Sequence, residues 1–290
     1  MLTYIQASIL GALQGATELF PVSSLGHSVI LPSLFGWHID QRADIFLAFL
    51  VATHLATALV LFFFFIKDWM KIIKGIFRSL KNRNIDQQDV YAKLGWLIIV
   101  GTVPVGILGI LFEQSLKNFF ASPRAAAIFL ILNGILLWGM EIYKKRKSKE
   151  NKLVDLTDSV VIDTNISSIS WGSTIKVGIA QCLALIPGFS RTGATLGGGL
   201  VVGLDHASAA RFSFLLATPV IMAAAVLKLP ELAITGTTAV IGPIIIGSLI
   251  SAIFAYLSVK FLTKYFKTHT LKPFAIYCVA FGILSLFLLM

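Results

Sequence analysis

The sequence is poor in charged residues and in cysteine. Charged side chains make up 13% of the 290 residues, against about 25% in soluble globular domains, which argues against a water-soluble fold. The two cysteines, Cys182 and Cys278, lie in separate apolar stretches and suggest neither a disulfide framework nor a metal cluster. The first basic residue is Arg42, so the leading apolar segment lacks the positive start of a cleavable signal peptide.

Apolar residues are abundant instead. They make up 57% of the chain, and the mean hydropathy is +0.85. A membrane-spanning helix needs about 20 apolar residues, and six runs approach or exceed that length. The sequence therefore predicts an all-α integral membrane protein with six transmembrane helices, at Asp44–Ile66, Leu94–Phe112, Arg124–Tyr143, Ser208–Leu229, Val240–Leu262 and Leu271–Met290.

Two further apolar segments are interrupted by residues that break helices. Leu2–Phe35 is broken at Pro21 and the serines that follow, and Ile175–Leu204 is broken at Pro187 and again at Gly197–Gly199. Broken helices can meet inside a membrane where protein shields their non-helical backbone. We therefore predict two re-entrant helical hairpins in addition to the six spans.

The order of these segments repeats along the chain. A hairpin followed by three spans occurs in residues 1–143 and again in 172–290. Because three is an odd number, the second copy enters the membrane in the opposite orientation, which predicts an inverted-topology repeat with its functional site between the halves. The chain 1–290 is then a single membrane domain, in which 144–171 is a cytoplasmic linker.

The net charge of +10 is concentrated in three places. Most of the 24 Lys and Arg residues lie in 67–93, 144–152 and 260–272, beside or between apolar runs. Basic loops mark the cytoplasmic side of a membrane protein and contact anionic lipid, so no nucleic-acid partner is predicted. With those three places in the cytoplasm, both termini and the opening of the first hairpin face the exterior.

The first interruption contains a group of polar residues: Gln14, Glu18, Ser23, Ser24 and His27. Ionisable residues inside membrane segments are costly and usually functional. Gln14 and Glu18 share a helix face, and a carboxylate there can hold a hard cation or act as a general base. A hydroxyl beside an imidazole, as expected for Ser24 and His27, is the minimal activated nucleophile. The alternative is that Ser23 caps a helix and His27 is an ordinary buried residue.

The second interruption supplies a fixed cation and hydroxyls. It reads Ser190-Arg191-Thr192-Gly193-Ala194-Thr195. The fork of donors on Arg191 fits phosphate oxygens, and hydroxyls with freed backbone N–H groups complete an anion site. P-loop, zinc and metalloprotease motifs are absent. His54 and Thr57, in the first span, could line the same cavity, but we interpret them as hydrogen-bonding residues between helices.

Together the two interruptions combine a nucleophile, a base, a carboxylate and a phosphate clamp. That set suits phosphoryl transfer, in which positioning and charge neutralisation supply most of the catalysis. A lipid-phosphate transporter is the alternative, because inverted repeats with broken helices are also a transporter architecture. Transport needs the anion clamp but no nucleophile.

At these residues the chain resembles the undecaprenyl pyrophosphate phosphatase family, also called the bacitracin-resistance proteins. The resemblance implies hydrolysis of undecaprenyl pyrophosphate to undecaprenyl phosphate and inorganic phosphate. This reaction recycles the lipid carrier of peptidoglycan synthesis, and a bacterial inner-membrane site facing the periplasm is expected. It also implies a divalent cation, Mg²⁺ or Ca²⁺. The matching segments are Gln14–His27, Gln181–Thr195, Arg211–Pro219 and Pro273–Tyr277.

The resemblance also assigns a role to each polar residue. Ser24 looks like the nucleophile and His27 like its acid–base partner. Glu18 looks like a catalytic carboxylate that binds the cation together with Gln14, where many members carry Glu. The expected partners are the polyprenyl pyrophosphate and membrane lipids, and the sequence leaves open whether a homodimer forms. The residues expected to bind the pyrophosphate are Gln14, Ser23, Ser190, Arg191, Thr192 and Thr195.

Overall fold

The computed structural model describes residues 2–41, 43–86, 88–112, 122–147, 159–233 and 238–290. Over these ranges the protein contains twelve α-helices, a 3₁₀ helix at Cys182–Leu185 and no strand. In chain order the helices are α1 (Tyr4–Thr17), α2 (Ser24–Leu34), α3 (Asp44–Phe64), α4 (Ile66–Asn82), α5 (Val90–Leu111), α6 (Pro123–Lys147), α7 (Ser159–Ser167), α8 (Trp171–Gln181), α9 (Arg191–Val201), α10 (His206–Ala233), α11 (Thr238–Tyr265) and α12 (Lys272–Leu288).

Five of these helices are long and apolar enough to cross a membrane: α3, α5, α6, α10 and α11. They correspond to five of the six predicted spans, so the all-α membrane fold is confirmed. The sixth predicted span is α12, an apolar helix of 17 residues. At 1.5 Å per residue α12 is about 25 Å long, which is near the lower limit for a span.

The first interruption lies where the sequence predicts it. α1 ends at Thr17 and α2 begins at Ser24. Ser23 has a φ of 67°, a left-handed conformation that is uncommon for residues other than glycine. Its hydroxyl accepts a hydrogen bond from the N–H of Gly26 at 3.2 Å, so the alternative in which Ser23 caps a helix is confirmed.

The second interruption is shorter than predicted. The chain leaves α8 through the 3₁₀ helix and enters α9 at Arg191, which agrees with the break at Pro187. The further break at Gly197–Gly199 is wrong, because these glycines lie inside α9. They allow close packing there: a Cβ on Gly197 would lie 1.9 Å from the sulfur of Met140 in α6.

Two helices lie in basic segments that the sequence analysis treated as loops. α4 occupies much of the segment 67–93, and α7 lies within the predicted linker 144–171. Arg211 in α10 anchors α7, since its Nε donates to Oδ1 of Asp163 at 2.7 Å. Residues 148–158 of the linker lie outside the described residues. The described remainder of the linker is therefore packed helix rather than open chain.

Glycines allow α1 and α11 to cross in close contact. A Cβ on Gly11 would lie 2.2 Å from the carbonyl oxygen of Gly247, and a Cβ on Gly15 would lie 2.1 Å from that of Ser251. Neither position has room for a side chain without moving backbone. The crossing fixes the C-terminal end of α1, which carries Gln14 and leads directly to Glu18.

We expect Gly15→Ala to destabilise the protein, because the added methyl group overlaps the backbone of α11. Overpacking of this kind costs about 1–3 kcal/mol, which corresponds to a fall in Tm of about 3–10 °C. Thermal unfolding in detergent would measure the change. Gly139→Ala in α6 is the matched control, because a Cβ there meets nothing within 4 Å. Equal Tm values for the two variants would contradict the close crossing.

Candidate active site

The two interruptions meet at the carboxylate of Glu18. Oε1 of Glu18 accepts a hydrogen bond from Nη2 of Arg191 at 2.9 Å. Oε2 accepts one from the hydroxyl of Ser24 at 2.6 Å and one from Nε2 of Gln14 at 2.9 Å. Glu18 is 7% exposed, so its charge is compensated by these neighbours rather than by water. The prediction that the two segments come together is therefore confirmed.

Side chains replace the backbone hydrogen bonds that the interruptions lose. The hydroxyl of Thr192 donates to the carbonyl oxygen of Glu18 at 2.9 Å. Asn133 in α6 joins the two segments: its Nδ2 donates to the carbonyl oxygen of Pro21 at 3.2 Å, and its Oδ1 accepts from the N–H of Ser190 at 3.1 Å. Asn133 was not identified from the sequence. The signal in the sequence is an amide side chain within a predicted span, where polar residues commonly form hydrogen bonds between helices.

His54 is a further member of the site. Its Nε2 lies 3.3 Å from Oε2 of Glu18, and its Nδ1 lies 2.7 Å from the carbonyl oxygen of Leu50 in the same helix. His54 therefore makes a contact between helices, as the preferred interpretation expected, and its partner is the site carboxylate, as the alternative in which it lines the cavity expected. The signal was present in the sequence, because an ionisable residue inside a span indicates function. Thr57 instead donates to the carbonyl oxygen of His54 within α3.

His27 does not form the expected hydrogen bond with Ser24. Its Nδ1 lies 2.6 Å from the carbonyl oxygen of Ser23, which can only accept, so Nδ1 carries a proton. Its Nε2 then accepts from the hydroxyl of Tyr277 at 2.8 Å, and its ring stacks on Phe281 with centroids 4.9 Å apart. Ser24 is the first residue of α2, and its hydroxyl turns back to Glu18. The geometry therefore pairs the serine with a carboxylate rather than with the imidazole.

The residues predicted to bind pyrophosphate occupy different positions in the site. The hydroxyl of Ser190 caps α9 by accepting from the N–H of Gly193 at 3.0 Å. The hydroxyl of Thr195 contacts that of Ser213 in α10, and that of Thr192 is bonded to backbone. These three hydroxyls support the shape of the second interruption, and Arg191 is the residue of this segment that reaches the carboxylate of Glu18.

Two buried polar atoms of the site have no hydrogen-bond partner within the described ranges. They are Nη1 of Arg191 and Oε1 of Gln14. An unpaired buried polar atom is costly, and each of these two lies on a side chain that already contacts Glu18. The arginine nitrogen is a donor suited to an anion, and the glutamine oxygen is an acceptor suited to a cation or a hydroxyl. The site therefore leaves one donor unfilled, which suits an anion, and one acceptor unfilled, which suits a cation or a hydroxyl.

An apolar groove of about 480 Å³ lies between α6 and α12. Gly134, which follows Asn133 in the sequence of α6, forms part of its wall. Its walls offer hydrocarbon and almost no polar surface. The lining residues are Gly134, Ile135, Trp138, Ala275, Ile276, Val279, Ala280 and Ile283.

Known proteins resemble this chain over almost its whole length. The undecaprenyl-diphosphatase of Mycolicibacterium paratuberculosis is 44% identical over 297 aligned positions, covering 98% of this chain and 97% of the relative. The undecaprenyl-diphosphatase 2 of Chromobacterium violaceum is 43% identical, with 97% of each chain covered. The undecaprenyl-diphosphatase of Gluconacetobacter diazotrophicus is 42% identical, covering 99% of this chain and 98% of the relative. The model of the bacitracin resistance protein BacA family matches residues 7–284, and the chain belongs to that family.

Proposed function

We propose that the protein is an undecaprenyl-diphosphatase. It hydrolyses undecaprenyl pyrophosphate to undecaprenyl phosphate and inorganic phosphate, recycles the lipid carrier of cell-wall synthesis and confers resistance to bacitracin. One observation carries this conclusion: Ser24 and Arg191, from two distant segments, contact the two oxygens of one buried carboxylate, Glu18. A hydroxyl nucleophile and a phosphate-binding cation are thereby held side by side. The names of the relatives support the same reaction.

The geometry favours Glu18 as the group that accepts the proton of the nucleophile. The hydroxyl oxygen of Ser24 attacks the terminal phosphorus, and the bond from that phosphorus to the bridging oxygen breaks to release undecaprenyl phosphate. The serine proton passes to Oε2 of Glu18. This oxygen already accepts a hydrogen bond from the Ser24 hydroxyl, with 2.6 Å between the two oxygens. Water then cleaves phosphoserine to inorganic phosphate and restores the hydroxyl. His27 has a positioning role instead, because its Nε2 already accepts from Tyr277.

Arg191 neutralises charge on the substrate. Its Nη2 stays with Glu18 while its unpaired Nη1 is free to donate to a phosphate oxygen. Donors aimed at developing charge typically contribute about 10²–10³ in rate. Ser23, Ser190, Thr192 and Thr195 shape the two interruptions around this contact, and the terminal phosphate lies between Ser24 and Arg191.

A divalent cation, Mg²⁺ or Ca²⁺, is part of the proposal. The described residues contain no cluster of three His, Cys, Asp or Glu side chains that could hold a metal. One carboxylate with substrate phosphates is nevertheless a usual environment for Mg²⁺, and the unpaired Oε1 of Gln14 fits as an additional oxygen ligand beside Glu18. Such a cation would neutralise phosphate charge when bound.

The membrane arrangement is proposed on the same basis. Six spans, α3, α5, α6, α10, α11 and α12, surround two re-entrant hairpins, α1–α2 and α8–α9, in inverted repeats 1–143 and 172–290 joined by the linker 144–171. Contacts between helices support the repeat. α1 packs on α11 as its counterpart α8 packs on α5, and the counterparts α3 and α10 contact each other, as do the counterparts α6 and α12. The basic segments then face the cytoplasm of a bacterial inner membrane. Both termini and the site face the periplasm.

The substrate tail is expected in the apolar groove between α6 and α12. An isoprenoid needs a long hydrocarbon surface that is open to the bilayer, and one wall of this groove is α6, the helix whose Asn133 joins the two interruptions. The alternative of a lipid-phosphate transporter gains no support from the relatives, which are named as diphosphatases. Transport also needs no nucleophile, whereas the hydrogen bond between Ser24 and Glu18 pairs a hydroxyl with a base.

We expect Ser24→Ala to abolish phosphate release from undecaprenyl pyrophosphate and Glu18→Gln to lower it by about 10²–10⁴-fold, as for loss of a general base. The assay uses protein in detergent with Mg²⁺, with Ca²⁺ and with chelator, and chelation should stop the wild-type reaction. Ser28→Ala is the matched control, because Ser28 lies in the same helix, is fully buried and has an unpartnered hydroxyl. Unchanged release by Ser24→Ala would refute the proposed nucleophile.

Arg191→Lys should lower kcat/KM by about 10²–10³-fold, because lysine loses the second nitrogen that reaches the phosphate while the first holds Glu18. Arg211→Lys is the control: Arg211 is another mostly buried arginine, bonded to Asp163 and Asp68, and its replacement should change kcat/KM less than twofold. A similar loss of activity in both variants would indicate a general effect of removing a buried arginine.

Cysteine labelling tests the proposed topology. With Cys182 and Cys278 replaced by Ala, a cysteine at exposed His38 should react with an impermeant maleimide in spheroplasts. A cysteine at exposed Lys81 should react only after permeabilisation, because it lies on the cytoplasmic side. Reaction of the Lys81 position in sealed spheroplasts would reverse the orientation.

A further inference from the structure

Three stripes run along α4. One is buried against the protein and consists of Trp69, Ile72, Gly75 and Ser79. The other two face outward. The apolar stripe consists of Met70, Ile73, Phe77 and Leu80, which are 50%, 43%, 67% and 54% exposed. The basic stripe consists of Lys67, Lys71, Lys74, Arg78 and Lys81, all exposed.

The apolar stripe is as open as the membrane-facing surface of the spans. Phe77 is 67% exposed, compared with 53% for Ile107 in α5. α4 itself is too basic to cross a bilayer and is not among the five candidate spans. A helix with a buried face, an adjacent apolar stripe and a charged stripe lies in the plane of the membrane interface, with the apolar stripe among the upper acyl chains. α4 follows α3 after the single residue Phe65, which keeps it at the membrane surface.

The charges on α4 are unbalanced. Asp68 is the one acidic residue of the helix, and it contacts Arg211 in α10 at 3.1 Å. Arg78 pairs with Asp89 at 2.8 Å. Lys67, Lys74 and Lys81 form no ion pair within the described part of the chain. Three lysines thus present uncompensated positive charge next to hydrocarbon, which is the complement of an anionic lipid.

A groove of about 1070 Å³, with both polar and apolar residues in its walls, continues from the C-terminal end of α4. Ser79 and Leu80 of α4 form one edge, and Nε1 of Trp96 donates to the hydroxyl of Ser79 at 2.8 Å. Trp171, which is 41% exposed, forms another edge, and tryptophans are enriched at the level of lipid headgroups. Arg83 and Lys93 add two further cations to the groove lining.

We propose that α4 and this groove bind anionic phospholipid in the leaflet where α4 lies. The apolar stripe inserts among the acyl chains, and the basic stripe, with Arg83 and Lys93, contacts the phosphate groups. Such binding would hold α4, which connects α3 to α5, at the membrane surface. This site is separate from Glu18 and does not depend on the phosphatase activity.

The test is titration of the full-length protein in neutral detergent with phosphatidylglycerol at low ionic strength, with bound lipid counted by native mass spectrometry. The triple variant K67Q/K74Q/K81Q should bind phosphatidylglycerol roughly 100-fold more weakly, since each lysine near an anionic surface contributes about fivefold. Phe77→Ser should also weaken binding, without a change of charge. Phosphatidylcholine should bind the wild type and the triple variant equally.

The matched control is K260Q/K264Q/K267Q, which removes the same charge from the end of α11. A general contact of this segment with anionic lipid should lower the affinity severalfold at most, far less than the α4 variant does, and gel filtration with thermal unfolding checks that all variants fold. Equal weakening in both triple variants would show that net charge alone governs binding and would overturn the site. Wild-type affinity in both the α4 triple variant and Phe77→Ser would also overturn it.

Discussion

The ion pair between Glu18 and Arg191 is the contact on which the rest of the structure depends. Glu18 is buried and Arg191 is mostly buried in a largely apolar protein, where a buried charge that loses its partner is strongly destabilising, by about 3–5 kcal/mol. Glu18 follows the end of α1, and Arg191 begins α9, so the pair holds the two interruptions against each other. The same contact therefore stabilises the fold and gathers the polar groups of the site.

The surrounding structure keeps those two charges in place. Glycine-mediated crossing of α1 and α11 sets the position of Glu18, and the amide of Asn133 joins the backbone of both interruptions. Broken helices deep in a membrane need such replacements for their lost backbone hydrogen bonds. The unpaired nitrogen of Arg191 and the unpaired oxygen of Gln14 are what this framework leaves to a ligand. Away from this centre, α4 presents hydrocarbon and positive charge to the membrane surface.

Some of the fold could be predicted because burial in lipid leaves a strong signal in sequence. Runs of apolar residues marked five helices of sufficient length, and Pro21 and Pro187 marked the two interruptions. Other features were missed for physical reasons. Gly197–Gly199 can break a helix or allow close packing, and the fit of Met140 decides between them. Basic residues at 67–81 suggested a loop because a segment with this many charges cannot cross a bilayer, although Met70, Ile73 and Phe77 recur at helical spacing.

The sequence by itself determined that the chain is a helical membrane protein and which of its residues are costly to bury, and it predicted a functional site that includes Glu18, Ser24 and Arg191. Only the tertiary structure decided their pairing. Spacing of three residues suggested that Ser24 contacts His27, but the hydroxyl turns to Glu18 while the imidazole bonds to Ser23 and Tyr277. Tyr277 and His54 reach the site from other helices. The hydrogen bonds of Tyr277 and Arg191 join residues far apart in the chain, so they depend on how the helices pack, and local spacing carries no information about that.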